Sequence, residues 1–331
     1  MKHNLRNRNS RPASPSSASL QSLLALLAAI GLGLYWETNA FAQASAPAAA
    51  PPKPLPIPAE SAAPVAPPPA IAKPDGQQIV RESAAAMAKL PSITARMRQK
   101  VDLQGVQLAG TGNYLQLGTG ENLLLRLSVK VQVDKHVTSL QQICDGRFLW
   151  LRRDMPEGVS LQRIDLKRVR ESTQGSSLSS DGPWIAVGGL PRLMENLAAK
   201  YQFGPPRAAK LGTIQGWQLE GNWRTEGAPG EKPAPPAEGV PRRVVITLGQ
   251  EDHFPYRIEF QRLEKKKSDE EGPTWLPLLT IEFFDIETGA AIDPLQFFYK
   301  PDNQQVIDST DVYIRKFGGR LEQARQPTQP R

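Results

Sequence analysis

Few side chains in this sequence carry nucleophilic or metal-binding chemistry, and those few are scattered. The chain has 331 residues, with three histidines and one cysteine. His3 stands in a basic N-terminal stretch. His136 and His253 fall in unrelated segments, without a serine-plus-carboxylate pattern beside either. There is no G-x-S-x-G nucleophile elbow and no H-E-x-x-H pair. Cys144 adjoins Asp145-Gly146 and reads as a semi-buried structural thiol at a turn; standing alone, it forms no intramolecular disulfide. Two histidines and one cysteine make no zinc set without carboxylates that the spacing does not place. The Gly-Thr-Gly triplets at Gly110 and Gly118 lack the strand-to-helix setting of a phosphate loop and read as turns. The expectation is a protein that is not an enzyme, with no cofactor and no metal.

The chemistry that remains is apolar. Leu123, Leu125, Leu127, Val129, Val131 and Val133 alternate with Leu124, Arg126, Ser128, Lys130 and Gln132. This is the clearest period of two in the chain, a strand with one apolar and one mostly polar face. Aromatic residues, Phe148, Trp150, Trp184, Trp217, Phe260, Trp275 and Phe283, fall in or beside other strand-like segments. Ordinary core packing accounts for any one of them. A curved sheet with one apolar face and few covering helices can also enclose a hydrophobic cavity in place of a filled core. The residues expected to face such a cavity are Leu125, Leu127, Val129, Phe148, Trp150, Ile246, Ile258, Phe260, Ile281 and Phe283.

The elements that must position them follow in order. Ile79, Val80, Ala84, Met87, Ala88 and Leu90 have helical spacing, and Pro91 ends that helix. Tyr114–Leu117 leads through Gly118-Thr119-Gly120 into the alternating strand, a hairpin signal. Arg147–Arg152 and Val159–Ile164 flank Pro156-Glu157-Gly158 as a second hairpin. A polar loop covers Ser172–Gly182, and Leu190–Tyr201 reads as a helix with Leu193, Met194 and Leu197 on one face. Strands then return at Gly216–Trp223, Arg243–Leu248, Tyr256–Arg262 and Leu278–Ile286. A Pro/Gly-rich loop, Gly227–Pro241, separates the first two, and the mixed-charge segment Lys265–Gly272 forms a solvated hairpin tip. A last strand is expected at Gln305–Arg315, before a polar tail. The implied class is α+β: a single strongly curved antiparallel sheet, an incomplete β-barrel, with helices covering its concave side.

The front of the chain sets the compartment. Lys2, Arg6, Arg8 and Arg11 precede an apolar run, Leu20–Leu34, and the small-residue triplet Ala40-Phe41-Ala42. That order reads as a secretory signal peptide over residues 1–42. The run is shorter than the ~20 residues of a bilayer crossing, though extension through Tyr35 and Trp36 would make it an uncleaved anchor. Residues 43–74 are nearly all Ala, Pro and Ser, a disordered, semi-stiff spacer. The folded domain is expected over 75–318 and a disordered tail over 319–331. The net charge of the chain is +7; with the leader's four basic residues and Glu37 set aside, 36 basic and 32 acidic residues remain, a net of +4. That balance does not argue for a nucleic-acid partner.

Several ordered segments resemble the LolA-like superfamily of periplasmic lipoprotein carriers. Ile143-Cys144-Asp145-Gly146-Arg147-Phe148-Leu149-Trp150 resembles its v-x-D-G-k-x-l-W strand start. Trp184–Leu197 takes the place of its central helix, and Tyr256–Phe260 resembles a later strand. Asp293-Pro294 through Phe297-Phe298-Tyr299 to Asp308-Ser309-Thr310 resembles the closing segment of related secreted proteins. The resemblance spans about Gln77 to Ile314. It implies an incomplete antiparallel barrel whose apolar inside, closed by helices, shelters lipoprotein acyl chains. One departure stands out. The carriers' lysine-arginine-proline turn, whose arginine helps hold the lid, is replaced by Leu117-Gly118-Thr119-Gly120.

The expected function is therefore an exported, non-enzymatic protein of the periplasm or cell envelope that holds lipid or lipoprotein acyl chains in an apolar cavity. The alternative is an envelope interaction or sensor domain with a filled core. Its partner would be another envelope protein, and an uncleaved leader would tether it to the membrane.

Overall fold

The computed structural model describes residues 74–103, 106–133, 136–173, 185–224, 241–264 and 274–316. The leader, the spacer, the tail and the loops expected at Ser172–Gly182, Gly227–Pro241 and Lys265–Gly272 lie wholly or mostly outside these residues.

Helix α1 (Gly76–Lys89) starts at Asp75, whose carboxylate accepts the Gln77 amide at 3.0 Å. It buries Ile79, Val80, Ser83, Ala84 and Met87 on one face. The chain turns extended at Leu90, as expected before a proline. Two long strands follow, β1 (Ser92–Leu103) and β2 (Val106–Leu117). Next come β3 (Leu124–Val133), β4 (His136–Cys144), β5 (Phe148–Met155) and β6 (Gly158–Asp165). Helix α2 (Leu166–Thr173) closes this first half. Helix α3 (Ile185–Lys200) opens the second, followed by β7 (Tyr201–Phe203), β8 (Arg207–Leu211), β9 (Ile214–Trp223), β10 (Arg243–Gly249), β11 (Pro255–Leu263) and β12 (Trp275–Thr288). The last described elements are β13 (Val306–Asp308) and α4 (Thr310–Lys316).

Among the described residues, thirteen strands form one sheet in the order β13-β6-β5-β4-β3-β2-β1-β12-β11-β10-β9-β7, with β8 paired to β9. Each half is a meander, and β1 joins them by pairing with β12. All pairings are antiparallel except β13 with β6. The sheet has two ends and is not closed. It also curls. The Leu190 amide bonds the Tyr114 hydroxyl on β2, and α3 enters β7 at Tyr201. Those eleven residues of helix rise ~16 Å. Six strand steps of a flat sheet would need ~29 Å. The sheet therefore bends around the helix. The α+β class and the open, curved antiparallel sheet expected from the sequence are what the structure shows.

Strand alternation gives the sheet two unlike faces. On the inner face, the register aligns Ile246, Ile258 and Ile281 across β10, β11 and β12. It also aligns Phe283, Met97, Gly112 and Val129 across β12, β1, β2 and β3. Helices α1 and α3 pack against the β9–β11 side through Ile79, Val80, Met194 and Leu197. Helices α2 and α4 contribute Leu166, Val169, Tyr313 and Ile314 to the other part of the core. The outer face carries paired charges, such as Arg257 between Glu259 and Glu282.

Three expectations need correction. The strand expected at Gln305–Arg315 is a three-residue strand followed by a helix. Asp308 accepts the Thr310 amide at 3.0 Å and starts the turn. Thr310, Tyr313 and Ile314 then bury at helical spacing. The helix expected at Leu190–Tyr201 begins at Ile185, and Tyr201 already belongs to β7. The Gly110-Thr111-Gly112 triplet, expected as a turn, lies inside β2, where Gly112 pairs with Met97 and Val129; strands β1, β4, β7 and β8 and helix α2 have no counterpart among the expected elements.

Candidate functional site

Seven of the ten residues expected to line a cavity are buried on the inner face. Leu125, Leu127, Val129, Ile281 and Phe283 belong to the cluster under β1–β5, and Ile246 and Ile258 to the cluster under α1 and α3. Phe260 is partly buried against both clusters. The seven are only 0–3% exposed. The inner face is closely packed in this conformation.

Phe148 and Trp150 do not join them. Leu149 and Leu151 occupy the inner face of β5, so alternation turns Phe148 and Trp150 outward. There they pack with Ile143, Leu161, Tyr299 and Val306 under the chain that leads to β13. The Trp150 and Tyr299 rings lie 5.3 Å apart, and the Arg147 and Arg163 guanidinium groups flank the Phe148 ring at 4.9 and 5.1 Å.

The cover over the inner face is held by a small set of polar contacts. Tyr114 on β2 is fully buried. Its hydroxyl accepts the Leu190 amide at 3.0 Å and donates to Gln116 Oε1 at 2.5 Å. Burial pushes the phenol far above its ordinary pKa, against the smaller downward pull of the Leu190 amide, so it stays protonated. The contact sits at the kink of α3. Gly189 there has φ +63°, and a Cβ at this position would lie 2.3 Å from Gln116 Oε1. Only glycine allows both the conformation and the approach. Gln77 clamps the other end of the cover. Its side-chain Nε2 donates to the Ala198 carbonyl at 2.7 Å, and its Oε1 accepts the Phe203 amide at 3.1 Å.

A groove of about 510 Å³ between α1 and α3 is floored by Ala84, Ala85, Ala88 and Ala198, with Arg81 and Arg224 beside it. No residue of the sheet's inner face lines it.

The scattered reactive side chains do not converge. His136 begins β4 and His253 precedes β11, on parts of the sheet separated by β3, β2, β1 and β12. Cys144 is buried among the inner-face residues, and burial pushes its thiol up to about 11, despite the lowering effect of the Gly146 amide. It is a neutral, inert thiol at ordinary pH. Among the described residues, no three His, Cys, Asp or Glu side chains are grouped to hold a metal ion.

No family model matches the chain, and no curated protein matches it. Solved structures with a similar arrangement include LprF from Mycobacterium bovis, at 12% identity and a TM-score of 0.37, covering 66% of this chain and 94% of that one. A Pseudomonas aeruginosa MucA/MucB complex aligns at 12% identity and a TM-score of 0.36, over 68% of this chain and 61% of that one. A LolA superfamily protein from Nitrosomonas europaea aligns at 13% identity and a TM-score of 0.27, over 68% and 98%.

Proposed function

We propose that this chain binds an acyl chain against the inner face of its sheet, without catalysis, as an exported protein of the cell envelope. One observation carries this reading. A largely apolar face runs across the sheet, and its α3 cover is kinked at Gly189 and fastened by the Tyr114–Leu190 bond. Leu125, Leu127, Val129, Ile246, Ile258, Phe260, Ile281 and Phe283 are the proposed contacts. Burial of an acyl chain there would contribute ~0.8 kcal/mol per methylene. Because those side chains are closely packed, uptake requires α3 to move away from β2, hinging at Gly189. The leader over residues 1–42 would direct export, and the spacer over 43–74 would give the domain reach.

A second reading keeps the core filled and makes the partner another envelope protein. The close packing of the inner face favours it, as do the exposed Leu295 and Phe298, which are 71% and 64% accessible. Titration of the purified chain with a fluorescent fatty acid separates the two. Saturable uptake, displaced by palmitate, supports the acyl-binding reading. Absence of uptake, with no lipid in an organic extract of the protein, leaves the interaction reading.

A further inference from the structure

The inner face is not uniformly apolar. Gln142 on β4 lies opposite Leu127 and Leu151, fully buried, and neither its amide nitrogen nor its oxygen has a hydrogen-bond partner among the described residues. Two residues before Leu140 on the same face, Thr138 Oγ1 is also buried and unpartnered. Arg153 stands opposite Leu140, between the inner-face residues Leu151 and Met155. It is therefore diagonal to Gln142 across the β4–β5 pair, within reach of a long side chain. Its Nε is buried and unpartnered, and among the described residues no carboxylate pairs with it. The neighbouring Arg152, on the outer face, bonds Asp154 at 2.8 Å. Gln77, elsewhere in the core, uses both ends of its amide.

A buried polar group without a partner loses its hydration and gains nothing in return. Two such side chains, Gln142 and Thr138, beside a half-buried arginine whose Nε is unpartnered, make a set that a ligand would complete. We infer that Arg153, Gln142 and Thr138 form a subsite for the carboxylate of a long-chain fatty acid whose chain lies along Leu127 and Val129. This rests on the acyl-binding reading above. The guanidinium fork matches a carboxylate in two hydrogen bonds. The Gln142 amide and the Thr138 hydroxyl supply further donors. One arginine balances one negative charge, which suits a carboxylate better than a phosphate monoester carrying about −1.5 to −2.

The test compares cis-parinaric acid with its methyl ester, by fluorescence, on the full chain. The acid is expected to bind about tenfold more tightly than the ester, the order of a charge-assisted pair. Arg153→Gln should lower acid binding to the level of the ester, while Arg153→Lys should keep most of the preference. Far-UV circular dichroism of each variant shows that it is folded. If Arg153→Gln keeps the acid-to-ester ratio of the parent, the subsite is wrong while acyl binding stands. If neither probe binds the parent chain, both readings fall.

Discussion

The Tyr114 hydroxyl and the Leu190 amide meet at 3.0 Å, joining the middle of β2 to the first turn after the α3 kink. Tyr114 and Leu190 are both fully buried, so both partners depend on the contact. Replacement of Tyr114 by Phe leaves the Leu190 N–H unpaired and removes the donor that Gln116 Oε1 accepts. We expect a loss of about 1–3 kcal/mol in denaturant unfolding. Stopped-flow uptake of a fluorescent fatty acid should become faster, because the cover opens more readily. Equal rates in parent and variant would remove Tyr114 from the gate.

Gly189→Ala should act at the same place by another route. The added methyl meets Gln116 Oε1, and φ +63° strains any residue with a Cβ. Strain of this kind costs on the order of 1–3 kcal/mol. The expected readout is a lower unfolding midpoint. Alanine tolerated with no change would show that the kink is not fixed.

The two faces of β5 give a paired prediction. Leu151→Ala opens space in the inner core and should cost about 2–5 kcal/mol. Trp150→Ala should also destabilise, through loss of its packing with Tyr299, Ile143 and Leu161. Only the inner substitution should change the affinity for a fatty acid, measured under conditions where both variants are folded. Loss of affinity in the Trp150 variant would return that ring to the ligand's side.

Gln142→Leu removes an amide with no partner and leaves a side chain of similar size on an apolar face. Stability should be unchanged or higher, since an unpaired polar group is lost. Affinity for cis-parinaric acid should fall. A large drop in stability would mean that the amide is paired in solution.

Asp308 links β13 to α4 and makes the fold sensitive to acid. Burial alone would raise its pKa, but hydrogen bonds from Arg163 and Thr310 outweigh that and hold it down at about 2. A carboxyl lowered in the folded state gives stability that is present above its unfolded pKa of ~3.9. That contribution is lost as pH falls from about 4 towards about 2. Circular dichroism during acid titration should show less loss over this window for Asp308→Asn than for the parent. Identical curves would mean that other groups control acid unfolding.

Much of the sheet is legible in the sequence because its apolar residues alternate cleanly. β3 is the plainest case, with Leu125, Leu127, Val129 and Val131 all inward. β4 hides because Thr138 and Gln142 interrupt its inward set, and these are the polar residues assigned to the ligand. β1 hides because Gln99 sits among Ile93, Ala95, Met97 and Val101. Phe148-Leu149-Trp150-Leu151 is apolar on both faces, so alternation alone does not say which pair faces inward. The register with Cys144 and Ile143 decides it. The Tyr114–Leu190 contact joins residues 76 positions apart, which no local pattern reveals.

Native mass spectrometry of the purified chain, with and without added palmitate, bears most directly on the central claim. Acyl binding predicts a single adduct of fatty-acid mass, saturating at one per chain and kept at low collision energy. A spectrum that shows only the bare polypeptide at saturating palmitate, for both the parent and the Tyr114→Phe variant, would contradict it.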